Sequence, residues 1–217
     1  IVQCLVGSEM CIRDSSYVMD NILYKVSFPA EFHAQTAAEA AISLSSEIKG
    51  KIHDIKEIKI FTQEPGVRII SKKGPLNNFA DRDHCIEYIV AWCLLNGNLN
   101  SNSYSDSSAS DENIDKLRKL TNTLEDQAYT RIYYDLDERA IPNKVVVSMI
   151  TGEVYEKEVI YPLGHKERRA ESLPFLKEKF EKSIEKADIR VDELMKFYDE
   201  KNLDSINIYD LLNCIYK

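Results

Sequence analysis

Between Arg68 and His84 the chain sets Arg68, Lys72, Lys73, Arg82 and His84, with Asn77 and Asn78 among them and Tyr88 one helical turn beyond. A second basic knot, His165, Lys166, Arg168 and Arg169, follows Gly164. Side chains of these types grip a polyanion. A guanidinium matches a carboxylate bidentately, an ammonium supplies point charge, and asparagine amides donate hydrogen bonds. The chemistry they suit is the holding of a polyanionic small molecule, whose charge fixed cations offset. On residue types alone, solvated surface charge paired with Asp and Glu is the simpler reading. Set against a formal net charge of −8, two local basic clusters are also placed to attract an anion, the second reading beside that simpler one.

Individual roles follow from position. The spacing predicts His84 and Tyr88 on one face of a helix, opposite an Ile86, Ile89, Val90 and Cys93 stripe. A histidine at a helix start donates to an anion that the helix dipole also favours. The Tyr88 hydroxyl either donates or relays a proton, or the ring packs across a domain interface. His33 opens an Ala-rich helix, pointing its donors at the same pocket or capping the helix. Asn77 and Asn78 bond a carboxylate or shape the turn after Gly74-Pro75. His53 has no assigned role, and Cys85 and Cys93 read as packing.

These residues need elements to hold them. Ala34, Ala37, Ala38, Ala41 and Ile48 predict a close-packed helix beginning near His33, since Pro29 bars entry from upstream. Lys56 to Thr62 alternates as a strand, and a short helix carrying Arg68 follows Pro65-Gly66. A helix capped by Asp81 is expected from Arg82 to about Asn96, ended by Gly97. Asn98 to Asn113 reads as an exposed loop, and Asp115 to Leu120 as a short helix. Strands at 144–150 and 154–161 read as a hairpin joined by Thr151-Gly152. After Pro174 three helical stripes appear: Leu176, Phe180 and Ile184; Val191, Leu194, Met195 and Tyr198; and Ile208, Leu211, Leu212 and Ile215.

Composition bounds the classes. At 217 residues one or two domains are expected. The acidic balance argues against nucleic acid, and no apolar run is long enough to span a bilayer. Five cysteines without a CxxC pair, and four scattered histidines, predict a reducing cytoplasmic setting and no metal. Residues 1–15, with Gly7-Ser8-Glu9-Met10-Cys11-Ile12-Arg13-Asp14-Ser15, look like translated adapter DNA and are set apart from fold reasoning. On that expectation Ser16 is not near a true start, and an N-terminal part is missing. A native start at Met19 would go with a shorter protein.

Four blocks agree in order and spacing with a known family: Tyr24-Lys25-Val26-Ser27-Phe28-Pro29-Ala30-Glu31-Phe32-His33, the Lys72 to Tyr88 run, Arg139-Ala140-Ile141-Pro142-Asn143, and Tyr161-Pro162-Leu163-Gly164-His165-Lys166-Glu167-Arg168-Arg169. From about Ile22 to the C-terminus the chain resembles the MmgE/PrpD family, in its branch that dehydrates 2-methylcitrate to 2-methyl-cis-aconitate within propionate breakdown. The resemblance implies an α+β fold. It expects an α/β domain over 16–170, then C-terminal helices over 171–217 that belong to a mostly missing all-helical domain. It implies a cofactor-free lyase, a homodimer when complete, with Lys25, His84 and Tyr88 as catalytic candidates. His33, Arg68, Lys72, Lys73, Asn77, Asn78, Arg82, His165, Arg168 and Arg169 are the substrate-binding candidates. The missing domain is expected to carry the main acid and base, leaving this part inactive alone. Two alternatives stand beside it: a decarboxylase or epimerase of the same fold acting on a related acid, and a stand-alone, non-catalytic anion-binding module.

Overall fold

The computed structural model describes residues 21–184, 194 and 207–215. The adapter-like segment 1–15, Ser16, Met19 and the stripe residues Val191, Met195 and Tyr198 lie outside them. The chain divides into two compact units, residues 1–169 and 170–217.

The first unit is a four-stranded sheet with helices on one face. Its elements run α1 (Gln35–Ile48), β1 (Ile55–Thr62), α2 (Glu64–Ile70), α3 (Phe79–Asp83), α4 (Ile86–Asn96), α5 (Asp106–Ala109), α6 (Glu112–Leu120), β2 (Thr121–Glu125), α7 (Gln127–Tyr134), β3 (Asn143–Met149) and β4 (Val154–Val159). The sheet order is β2-β1-β3-β4, with β2 parallel to β1 and the other two pairings antiparallel. Alternation throughout β3, and in β1 from Ile58 onward past a register shift at Ile55–Glu57, puts Ile58, Ile60, Val145 and Val147 on the covered face, and all four are fully buried. Ala37, Ala38, Ala41 and Ile48 let α1 lie close against α4 and the β3–β4 hairpin. Alanine side chains carry no rotamer entropy, so this contact forms at little conformational cost.

Two expectations need correction. The helix expected from Arg82 is two: Asn78, not Asp81, caps α3, and α4 begins only at Ile86 with Cys85 as an extended N-cap. His84 sits in the break, at φ −107 and ψ 27, where its N–H bonds back to Arg82. At the break the Cys85 thiol turns inward, toward the Lys72 carbonyl at 3.6 Å and Glu87 at 3.4 Å. Residues 98–113 are not an exposed loop. They form a 3-10 turn (Ser101–Tyr104) and α5, with Ser103 and Tyr104 fully buried. Asn100 and Ser103 bond each other's backbone in a capping box, which lets a polar stretch turn tightly enough to insert Tyr104. β2, which has no apolar periodicity of its own, and α7 are further additions. Gly97 ends α4 as expected, at φ +67, its N–H on the Cys93 carbonyl at 2.8 Å.

In the second unit, α8 (Arg169–Ile184) runs through Pro174, beginning earlier than the Leu176 stripe suggests. The last described helix is α9 (Ile208–Ile215). Leu173, Phe175 and Phe180 on α8 and Ile208 and Leu212 on α9 are exposed.

Candidate active site

Lys25 and His33 ride on an extended segment that leads into the 3-10 turn Phe32–Ala34. Two backbone bonds anchor it. The Tyr24 N–H donates to the Gly164 carbonyl, and the Glu31 N–H to the Asp83 carbonyl, each at 3.3 Å. Gly164 adopts φ +95, and a Cβ there would lie 2.2 Å from the Tyr24 oxygen, so only glycine admits this approach. The second anchor sets the segment beside the end of α3, next to His84.

Around His33 the side chains form a chain. The Glu31 carboxylate accepts from the His33 backbone N–H at 2.7 Å and meets His33 Nδ1 at 2.8 Å. His33 Nε2 lies 3.1 Å from the Tyr133 hydroxyl, with the two rings 5.6 Å apart. Tyr133 stands edge-on to Tyr134, whose hydroxyl reaches Glu64 at 3.2 Å, and Arg68 bonds that same Glu64 at 2.6 Å. Lys25 Nζ sits 4.8 Å from the centre of the Phe32 ring. His84 pairs with Asp83 at 2.6 Å. Burial by itself lifts the Glu31 carboxyl, but the bond to His33 and the charges of His33 and His84 outweigh it and hold the group below its usual value. Burial, with Tyr134 and Glu31 behind it, pushes the Tyr133 phenol up. Lys25, His33, His84 and Arg68 therefore share one neighbourhood.

Neither Glu31 nor Tyr133 stood out in the sequence. Glu31 had one signal, its Glu-x-His spacing. Tyr133 had Asp126, which caps α7 by accepting from the Ala128 and Tyr129 N–H groups and so fixes the helix bearing Tyr133.

The remaining candidates separate. Lys73 Nζ donates to the Thr121 carbonyl at 2.5 Å, while Lys72 Nζ lies 3.7 Å from Asp81. Together with Asp115, Arg118 and Lys119 they line a cavity of about 290 Å³. Buried Glu87, outside that lining, accepts from Ser71 at 2.6 Å, Thr123 at 2.7 Å and the Lys72 N–H at 3.1 Å. Asn78 accepts from the Asp81 N–H at 2.9 Å, and the Asn77 N–H donates to Asp81 at 3.1 Å, so both shape the turn.

Four candidates are held by the fold itself. Arg82 is buried, bonding the Tyr104 carbonyl at 2.7 Å and Asp106 at 2.8 Å. Tyr88 does not share a face with His84. It is buried, its hydroxyl donates to the Ser103 carbonyl at 2.6 Å, and burial raises the phenol to about 12. Arg168 holds Glu39 bidentately and also the Tyr161 carbonyl. Arg169 bonds the Ile22 carbonyl at 2.9 Å and lies over the Tyr24 ring. His165 is buried and stacked on Tyr161, and burial pushes its pKa down. With Lys166, Arg139, Tyr133 and Tyr134 it lines a second cavity, of about 460 Å³. Tyr133 is thus the common wall between that cavity and His33.

Among the described residues no group of three or more His, Cys, Asp or Glu side chains is placed to hold a metal ion. No helix among them is long and apolar enough to cross a membrane.

Residues 28–196 match the MmgE/PrpD C-terminal domain. The chain belongs to the MmgE/PrpD family. Its α+β unit is the small-domain fold of that family. It is 50% identical over 173 residues to the 2-methylcitrate dehydratase, mitochondrial, of Yarrowia lipolytica, covering 78% of this chain and 33% of that one. It is 50% identical over 169 residues to the 2-methylcitrate dehydratase of Escherichia coli K12, covering 76% and 35% respectively. A probable 2-methylcitrate dehydratase of Saccharomyces cerevisiae is 45% identical over 201 residues, covering 89% and 39%. The chain thus spans between a third and two fifths of the length of these MmgE/PrpD relatives.

Proposed function

We propose that this chain is the C-terminal part of a hydro-lyase that dehydrates 2-methylcitrate to 2-methyl-cis-aconitate, a step of propionate breakdown. The observation that carries the reading is its 45–50% identity to three 2-methylcitrate dehydratases over 76–89% of this chain. In this reading Lys25, His33, His84 and Arg68 face the substrate, and His165 and Lys166 extend the anion-holding wall. Lys72, Lys73, Asn77 and Asn78 shape and charge the flank of the site. Tyr88, Arg82, Arg168 and Arg169 act through packing, by keeping the strands and turns that carry the contacting groups in place. The rest of the protein supplies a helical domain that closes the pocket over this one, so residues 171–217 pack on it and this chain alone is inactive. The complete protein is a cytoplasmic homodimer working without a cofactor.

The test is turnover of 2-methylcitrate by the complete protein, followed as absorbance of the product's conjugated double bond, beside a panel of citrate, cis-aconitate and an amino-diacid. Dehydration of 2-methylcitrate, absent from residues 16–217 alone, is the expected result. Preferred decarboxylation of cis-aconitate, or epimerisation of the amino-diacid, sinks the dehydratase reading in favour of a same-fold relative. Tricarboxylate binding without turnover by the complete protein makes it an anion-binding module.

A further inference from the structure

Glu31 has no role assigned within the Tyr24–His33 block and Tyr133 lies outside all four blocks, yet they bracket His33 on both ring nitrogens. Glu31 meets Nδ1 at 2.8 Å and Tyr133 meets Nε2 at 3.1 Å. A carboxylate has only acceptors, so the Nδ1 contact is satisfied when Nδ1 carries the proton. That leaves the Nε2 lone pair facing a phenolic O–H, whose proton it accepts. The order carboxylate–imidazole–phenol is the arrangement by which a positioned base activates a weak hydroxyl group. It is held rigidly. Glu31 also accepts from the His33 N–H, the side chains of Glu31 and His33 are 16% and 12% exposed, and Asn143 fixes the His33 carbonyl at 2.7 Å. Tyr133 in turn forms a wall of the 460 Å³ cavity that Arg139 and Lys166 line with positive charge, alongside His165 and Asp135. A carboxylate substrate drawn to those cations is brought to the Tyr133 hydroxyl.

We propose that Tyr133 is the proton-transferring group of this site, with His33 as its base and Glu31 as the residue that sets the His33 tautomer. The inference rests on the dehydratase reading. The step balances within the substrate. The phenolic proton moves to His33 Nε2 as the Tyr133 oxygen takes the proton from the carbon next to a carboxylate. The C–H electron pair becomes the new double bond and expels the hydroxyl. That hydroxyl leaves as water by taking a proton back from Tyr133, which recovers its own from His33. No oxidant or further reactant is needed, and Glu31 remains ionised opposite the transient imidazolium. The charged or titratable groups facing this chain are Lys25 on the incoming segment, Glu64 and Arg68 on α2, His84 after α3, and Tyr134 on α7.

The experiment compares wild type, Tyr133→Phe, Glu31→Gln and the remote control Tyr155→Phe in the complete protein, with 3-fluorotyrosine placed at 133 in a further sample. Tyr133→Phe keeps the ring against His33 and loses only the hydroxyl. The expected result is a fall in kcat of about 100-fold or more with KM little changed, a smaller fall for Glu31→Gln, and none for Tyr155→Phe. Fluorination, which acidifies the phenol, is expected to move the alkaline limb of the pH–rate profile downward, a shift that a packing role does not produce. Full kcat in Tyr133→Phe, or an unmoved limb, overturns the proposal. If wild type leaves 2-methylcitrate untouched, only the dehydratase reading falls. The chain is then judged by 15N NMR of His33 in residues 16–217: protonation at Nδ1 with a Tyr133-sensitive Nε2 upholds it, and protonation at Nε2 alone overturns it.

Discussion

Arg168 grips Glu39 through both terminal guanidinium nitrogens, at 2.8 and 2.9 Å, joining the 3-10 turn Lys166–Arg168 to α1. The same guanidinium holds the Tyr161 carbonyl at 2.8 Å. The pair locks the 161–168 loop onto the helix behind His33, and with it the glycine against which the Lys25 segment rests.

Replacing Arg168 by methionine keeps most of the apolar stem and removes the fork. We expect a loss of about 1–2 kcal/mol in urea unfolding, between the values usual for exposed and buried pairs. A Glu39→Gln, Arg168→Met double-mutant cycle is expected to show a coupling of similar size. Additive losses would mean that the two side chains act independently.

Tyr88→Phe separates packing from catalysis. The Tyr88 hydroxyl is the donor to the buried Ser103 carbonyl, and the ring stacks on Tyr104 at 6.1 Å. Losing that donor is expected to cost about 1–3 kcal/mol in stability at an unchanged denaturant slope. The complete protein should keep its kcat within a few-fold below its melting temperature. A large loss of kcat with an unchanged Tm would return Tyr88 to the chemistry.

Gly164→Ala places a methyl 2.2 Å from the Tyr24 carbonyl oxygen at φ +95. Strain and displacement together are expected to destabilise the fold by about 2–4 kcal/mol. Because Tyr24 precedes Lys25, substrate affinity should fall as well. Gly152→Ala, whose added Cβ meets nothing within 4 Å, is the comparison for backbone strain alone at a similar φ.

His165 gives stability a pH dependence. Burial lowers its folded pKa, so the unfolded chain binds the proton more readily. The contribution is therefore fully present above the ordinary histidine value of 6.5 and is lost as pH falls below it, levelling off once the folded form also protonates. Urea midpoints at pH 8 and pH 5 should differ less in His165→Asn than in wild type, since asparagine keeps a cap for the Glu167 N–H at 3.2 Å. Equal pH slopes in the two proteins would exclude His165 as the source.

Much of the fold was legible because it rests on periodicity. The Ala stripe of α1, the alternation of β1, and the β3–β4 hairpin around Thr151-Gly152 each carry their own pattern, and each forms where that pattern places it. Gly97 ends α4 for a local reason too, its left-handed φ. The four signature blocks likewise carried the family, since their order along the chain needs no coordinates.

What only the tertiary structure decided is where unpatterned or charged groups go. β2 reads Thr-Asn-Thr-Leu-Glu and becomes a strand only because β1 offers it a free edge, pairing Ile58 with Thr121 through Thr62 with Glu125. Tyr104 sits in a stretch of Ser, Asn and Asp, yet it is buried because Arg82 and Tyr88 satisfy carbonyls of its turn. The basic residues were visible as types. Which of them meet an internal carboxylate or carbonyl, as Arg82, Arg168 and Lys73 do, and which face a cavity depends on partners up to 129 residues away. The same holds for Tyr133, brought to His33 across 100 residues. Hydrogen bonds of that range leave no spacing in a sequence, because the fold rather than the chain sets their length.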